Sequence, residues 1–243
     1  MKPLIALFSL TFLIGCGGDS TNPNLSLSNF IKPDYTFNES ILKCNLAPDQ
    51  TLSSVERFIP KLLDNLLQMK DRPDELYFLF PIIDEQTETQ IFEILFKYSN
   101  LLTLDSLSLI LAELKFDDIA ECIDTSFHKS LRLINQTINS PSVIAEILEC
   151  KYKAGYSYAT MKLVIEQLTD ALKNNNFSID ILYSESEMLP TSFQWTNIFS
   201  SMESRDDFVK SWQALKISEE IQGLLLEQSN CQASGVYRKY QLL

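Results

Sequence analysis

Apolar residues recur along this chain in two rhythms. Val55, Phe58, Ile59, Leu62 and Leu66 fall at i, i+3, i+4, i+7 and i+11, the stripe of a helix with one buried face. Leu76, Phe78 and Phe80 alternate with their neighbours, as do Phe92, Ile94 and Phe96, which is the period of a strand. Before them Ile41-Leu42-Lys43-Cys44 reads as a strand. After them Leu107, Leu111 and Leu114 mark a second helix, and Cys122 to Phe127 leads into a last strand. The predicted order is therefore strand, helix, strand, strand, helix, strand. Pro60 falls inside the first helix, where its ring and missing N–H predict a kink or a late start.

The same order then returns. Ile147-Leu148-Glu149-Cys150 repeats Ile41-Leu42-Lys43-Cys44 at an offset of 106, and Met161, Val164, Ile165, Leu168 and Leu172 repeat the helical stripe at that offset. At offset 103, Ile179, Ile181 and Tyr183 follow the second strand, and Trp195, Asn197 and Phe199 follow the third. Phe208, Trp212 and Leu215 match the second helix at offset 101, and Cys231 to Val236 match the stretch that opens at Cys122. The first repeat spans residues 38–136 and the second 142–243; residues 217–230, with Leu224-Leu225-Leu226, are extra in the second and predict an additional helix packed on the body.

A βαββαβ order is the ferredoxin-like arrangement, an antiparallel sheet in spatial order 4-1-3-2 with both helices on one face. Two copies in one α+β chain resemble the dimeric α+β barrel family fused into a pseudo-dimer. The resemblance implies that the two open sheet faces turn toward each other, and it brings no catalytic residue with it.

The N-terminus changes the picture from fold to place. Lys2 precedes an apolar run from Leu4 to Ile14, too short to cross a bilayer core as a helix, which needs roughly 20 apolar residues. The closing tetrapeptide Leu13-Ile14-Gly15-Cys16 resembles the bacterial lipoprotein signal. That resemblance implies removal of residues 1–15, acylation of Cys16 and attachment to the membrane through its acyl chains. Gly17, where an aspartate would retain the protein at the inner membrane, implies the outer membrane, with the body in the periplasm or at the cell surface. A Ser, Asn, Gly and Pro-rich tether over residues 16–37 would space the body from the lipid.

Charge narrows the partners. The net charge of −12 has no basic stripe to offset it, so nucleic acid is not an expected partner. Beyond Cys16, four cysteines allow three pairings. Each repeat puts one on its first strand and one just before its fourth, neighbours in the 4-1-3-2 order, which selects Cys44–Cys122 and Cys150–Cys231. An exported body permits both disulfides. The alternative is buried free thiols beside Leu42 and Leu46.

Sites of chemistry are harder to find. Phosphate loops, dinucleotide fingerprints, nucleophile elbows and zinc-protease helices are all absent from the sequence, and the one histidine, with no C-x-x-C, supplies no zinc set. No metal and no cofactor is expected. Alternation places Lys43 on the side of its strand away from Cys44, and Glu149 and Lys151 away from Cys150. With Asp180 and Asn197 these form the candidate cleft between the repeats, its walls joined through the apolar second and third strands. The competing reading is a plain solvated sheet face. His128 reads as an exposed strand histidine without a partner, and Trp195 and Trp212 as core packing, with ligand stacking the minority view.

These features point to a non-catalytic, membrane-anchored envelope lipoprotein that binds a small ligand or an envelope protein. The alternative is a cofactor-independent enzyme of oxygenase, isomerase or cyclase type, working in the cleft.

Overall fold

The computed structural model describes residues 31–82, 90–100, 102–135, 138, 140–186, 189 and 191–243. The lipobox and Cys16 lie outside the described residues. The first repeat runs β1 (Phe37–Leu46), α1 (Leu52–Leu66), β2 (Glu75–Pro81), β3 (Ile91–Tyr98), α2 (Leu102–Glu113) and β4 (Ala120–Ile134). The second runs β5 (Ser142–Tyr152), α3 (Tyr158–Asn174), β6 (Asp180–Ser186), β7 (Ser192–Phe199), α4 (Met202–Gln213), α5 (Lys216–Gln228) and β8 (Ser229–Gln241). Each repeat has the 4-1-3-2 order, and the fold is α+β as expected.

The two sheets meet at their edges. β2 pairs antiparallel with β8 and β4 with β6, so all eight strands close into one barrel in the order β1-β3-β2-β8-β5-β7-β6-β4. This corrects the picture of two faces joined through apolar second and third strands, and it also removes the solvated-face reading. Edge pairing satisfies the backbone N–H and C=O groups that open edges would leave unpaired. It also turns the polar strand faces into a barrel interior.

Strand parity sorts the side chains into two kinds of buried space. On the outer face, Cys44 and Leu46 pack with Val55, Phe58, Leu62 and Leu66 of α1, and Cys150 and Tyr152 pack with Met161, Ile165 and Leu172 of α3. Inside the barrel a smaller apolar cluster gathers Ile41, Tyr77, Leu79, Leu95, Ile147 and Tyr237 from five strands. Ile41 and Ile147 face a cavity at one end and Tyr77 a cavity at the other, so this cluster plugs the middle.

Disulfides join Cys44 to Cys122 and Cys150 to Cys231, each pair directly opposite across neighbouring strands. Pro60 sits on the exposed face of an uninterrupted α1. The Glu56 carbonyl that it leaves without an N–H donor belongs to an exposed residue, where water can satisfy it. In the second repeat α5 packs against α3 and α4 with Ile221 fully buried.

Candidate active site

Four of the five expected cleft residues lie inside the barrel, divided between its two ends. Lys43, Glu149 and Lys151 line a cavity of about 550 Å³ with Glu93 and His128. Asp180 lines the opposite end, a cavity of about 240 Å³, with Glu75, Tyr77, Arg132 and Lys239. Asp180 opens β6, which runs parallel to β1, whereas Lys43 stands near the end of β1; a barrel length therefore separates them. Asn197 is not in the interior at all. It shares a face with Trp195 and Phe199, the face under the helices, so its assignment to the cleft was an error of strand parity.

His128 departs most from expectation. It is only 6% exposed and points into the barrel, and neither ring nitrogen has a hydrogen-bond partner. Burial holds its pKa below the usual histidine value, opposed by the charges of Glu39 and Glu149 and reinforced by Lys43. Across the interior, Ser130 and Ser184 hydroxyls donate to Glu39 Oε1 at 2.7 and 2.8 Å. Burial pushes the Glu93 carboxyl up, tempered by Lys43 and by a hydrogen bond from the Tyr237 hydroxyl at 3.4 Å. The Tyr237 ring reaches that position across Gly235, where an added Cβ would lie 2.9 Å from the ring.

A stability prediction follows for His128. The unfolded chain takes up the histidine proton near pH 6.5, and the folded one only at lower pH. Between those values the unfolded state binds more protons, so stability falls as pH drops below about 6.5 and levels off below the folded value. Urea midpoints at pH 7.5 and 5.5 should show this loss, and His128→Gln should flatten it. Glu93 works in the opposite direction in both proteins and cancels in the comparison. An unchanged pH slope in the variant would show that His128 is not held neutral.

A largely apolar pocket lies elsewhere, between the second sheet and its helices. It is a cavity of about 260 Å³, floored by Phe193, Trp195 and Asn197 of β7 and walled by Met161, Trp212 and Leu225 of α3, α4 and α5. In the first repeat the same space is filled by the rings of Phe78, Phe80, Phe92 and Phe116, with neighbouring centroids 6.0 to 6.3 Å apart. Two differences mark the second: Asn197 stands where the first repeat has Ile94, and α5 replaces the short 3-10 turn that carries Phe116.

Besides Gln222 and Ser229, a polar corner around Asn197 interrupts this lining. The Trp195 indole N–H donates to Asn197 Oδ1 at 3.0 Å, and Asn197 Nδ2 donates to Glu146 Oε2 at 3.2 Å. Arg205, in the first turn of α4, holds the other Glu146 oxygen, with its Nε at 3.0 Å. Ser201 caps that helix by accepting from the Ser204 N–H, which fixes where Arg205 starts. Since an indole N–H can only donate, Asn197 must turn its oxygen toward Trp195. Asn197 Nδ2 carries two N–H groups, and the hydrogen bond to Glu146 uses one of them. Strand parity was the sequence signal that could have found this corner, because it puts Asn197 between two aromatic residues on a helix-covered face.

Among the described residues no group of three or more His, Cys, Asp or Glu side chains is placed to hold a metal ion, and no helix is long and apolar enough to cross a membrane. No family model matches the sequence, and no curated protein matches it. Solved structures do match the fold. A protein assigned as a monooxygenase from Lactobacillus acidophilus is 10% identical with a TM-score of 0.57, over 86% of this chain and 95% of its own. One assigned as a chlorite dismutase is 7% identical with a TM-score of 0.56, over 84% and 94%. A dye-decolorizing peroxidase from Bacteroides thetaiotaomicron is 10% identical with a TM-score of 0.52, over 87% and 96%. All three carry the names of enzymes, which stands against the expectation of a non-catalytic binding module. In fold, this chain is a dimeric α+β barrel with both halves fused in one polypeptide.

Proposed function

We propose that the protein is a cofactor-independent enzyme of oxygenase, isomerase or cyclase type, acting on a small aromatic or enolisable molecule in the cavity beneath α3, α4 and α5. The observation that carries this reading is the cavity itself: largely aromatic and aliphatic walls with the Asn197 amide, oriented by Trp195 and Glu146, among its few polar groups. Pockets that are largely apolar with a few convergent polar groups are the usual setting for small-molecule chemistry. A void of about 150 Å³ already holds benzene, so this one accommodates a larger, fused-ring compound. A phenol or enol would lay its ring against Trp195 and Trp212 and its oxygen on Asn197. There the donor favours the anion, the electron-rich form that oxidation or isomerisation needs. The names of the fold's solved relatives are in keeping with oxidation.

The chain's two tryptophans both line the cavity, so intrinsic fluorescence reports on it directly. Titration with 1-naphthol should quench that emission saturably, and naphthol should support oxygen uptake or be converted to product. Asn197→Leu should weaken naphthol binding about threefold to tenfold, the worth of one hydrogen bond, and leave naphthalene binding unchanged. Emission that ignores both ligands would refute the site.

We also propose that the enzyme is lipid-anchored in the cell envelope through Cys16. Support comes from the Leu13-Ile14-Gly15-Cys16 sequence and from two disulfides, which suit an oxidising compartment. Labelled palmitate should enter the wild-type protein and not Cys16→Ser; equal labelling of both would remove the proposal.

A further inference from the structure

Lys239 enters the barrel from β8 and is 4% exposed. Its Nζ lies 3.9 Å from the centroid of the Tyr77 ring, and among the described residues no carboxylate pairs with it. It lines the cavity of about 240 Å³ at the end of the barrel opposite His128, beside Arg132 and Asp180.

Of two nearby carboxylates neither pairs with it, although Glu39 keeps a buried Oε2 without a partner. Glu75 accepts from Lys97 Nζ at 2.6 Å and from the Tyr77 hydroxyl, while Glu39 holds the hydroxyls of Ser130 and Ser184. Arg132 spends Nη1 on Asn135 Oδ1 at 3.1 Å, but its buried Nε has no partner. The cavity thus presents an amine without a counter-ion next to a guanidinium N–H without an acceptor. Burial brings the amine's pKa down to about 7; Lys97 adds to the effect, Glu39 and Glu75 oppose it, and Arg132 lowers it further. A lysine desolvated beside another cation is in substantial part free base near neutral pH, and free amines add to carbonyls.

We propose that Lys239 is a carbonyl-capturing amine that forms an imine with a small 2-oxo acid, whose carboxylate is held by Arg132. The amine nitrogen attacks the carbonyl carbon, and the carbonyl oxygen takes a proton to give a carbinolamine. Loss of that hydroxyl as water, with the nitrogen giving up its remaining proton, leaves the C=N bond. No electrons are exchanged, and one water is released per imine. The site is separate from the cavity under the helices and does not depend on the chemistry proposed there.

The test is reductive trapping. The purified full-length protein is incubated at pH 7 with glyoxylate and cyanoborohydride, which converts the imine to a stable carboxymethyl-lysine, and the modified lysine is located by peptide mass. Lys239 should be modified at least about tenfold faster than any other lysine, because the ordinary ones are almost wholly protonated at that pH. The advantage should shrink toward pH 10 as the others deprotonate. Arg132→Gln should slow capture of glyoxylate about tenfold more than capture of acetaldehyde, whose smaller slowing reports only the rise in the amine's pKa when the guanidinium is lost. Lys239→Met exchanges the amine for an apolar chain of similar length and should abolish the fast phase. Modification spread over other lysines with none at 239 in the wild-type protein would overturn the proposal. Equal slowing of both aldehydes by Arg132→Gln would overturn the assignment to 2-oxo acids.

Discussion

Replacing Cys150 and Cys231 together by alanine is expected to cost about 2–5 kcal/mol of stability. The disulfide closes a loop of 81 residues, and most of its contribution comes from restricting the unfolded chain. For a body of this size each kcal/mol moves the melting temperature by about 2–4 °C, so a drop of roughly 5–20 °C should be visible by calorimetry. Cys44→Ala with Cys122→Ala should behave alike, since its loop spans 78 residues. The two bonds differ in access, because Cys231 is exposed and Cys122 only half-buried, while Cys44 and Cys150 are buried. A mild reductant should therefore open Cys150–Cys231 first, and alkylation followed by peptide mass would show the order. A melting temperature unmoved by the double replacement would mean that the unfolded chain is already constrained by other structure.

Phe92→Ala should cost a comparable 3–5 kcal/mol. Phe92 is fully buried on β3 and packs against Phe78, Phe80 and Phe116, with centroids 6.0 to 6.3 Å away. Its partners come from β2 and from the turn after α2, so no single movement can close the void. Urea unfolding measures the loss. The same truncation at Trp195 should cost less, because one side of that ring already faces a cavity and makes fewer contacts to lose. A larger loss at Trp195 than at Phe92 would argue against an open space in the second repeat.

That contrast bears on function. Two copies of one supersecondary unit have been given different interiors: the first is filled with rings and the second is left partly empty with a polar corner. The asymmetry fits one copy acting as scaffold and the other as the site. It was visible in the sequence as Asn197 opposite Ile94 and as the extra residues 217–230, but its meaning depended on which side of β7 is covered.

The sequence by itself determined the repeat, the α+β class and the strand order within each half. Hydrophobic period distinguishes helix from strand locally, and an order of elements read twice leaves few topologies. Strand parity also separated Cys44 from Lys43 and Cys150 from Glu149, because adjacent residues on a strand face opposite ways. What only the tertiary structure decided is where the polar sides go. Edge pairing of β2 with β8 and β4 with β6 depends on backbone groups that every residue shares, so no side-chain pattern announces it. Closure turned an apparently wet face into a buried interior. It moved Asp180 a barrel length from Lys43, turned His128 from an expected surface residue into a buried one, and buried Lys239 at the opposite end. Their chemistry follows from burial, and burial is a property of the closed barrel.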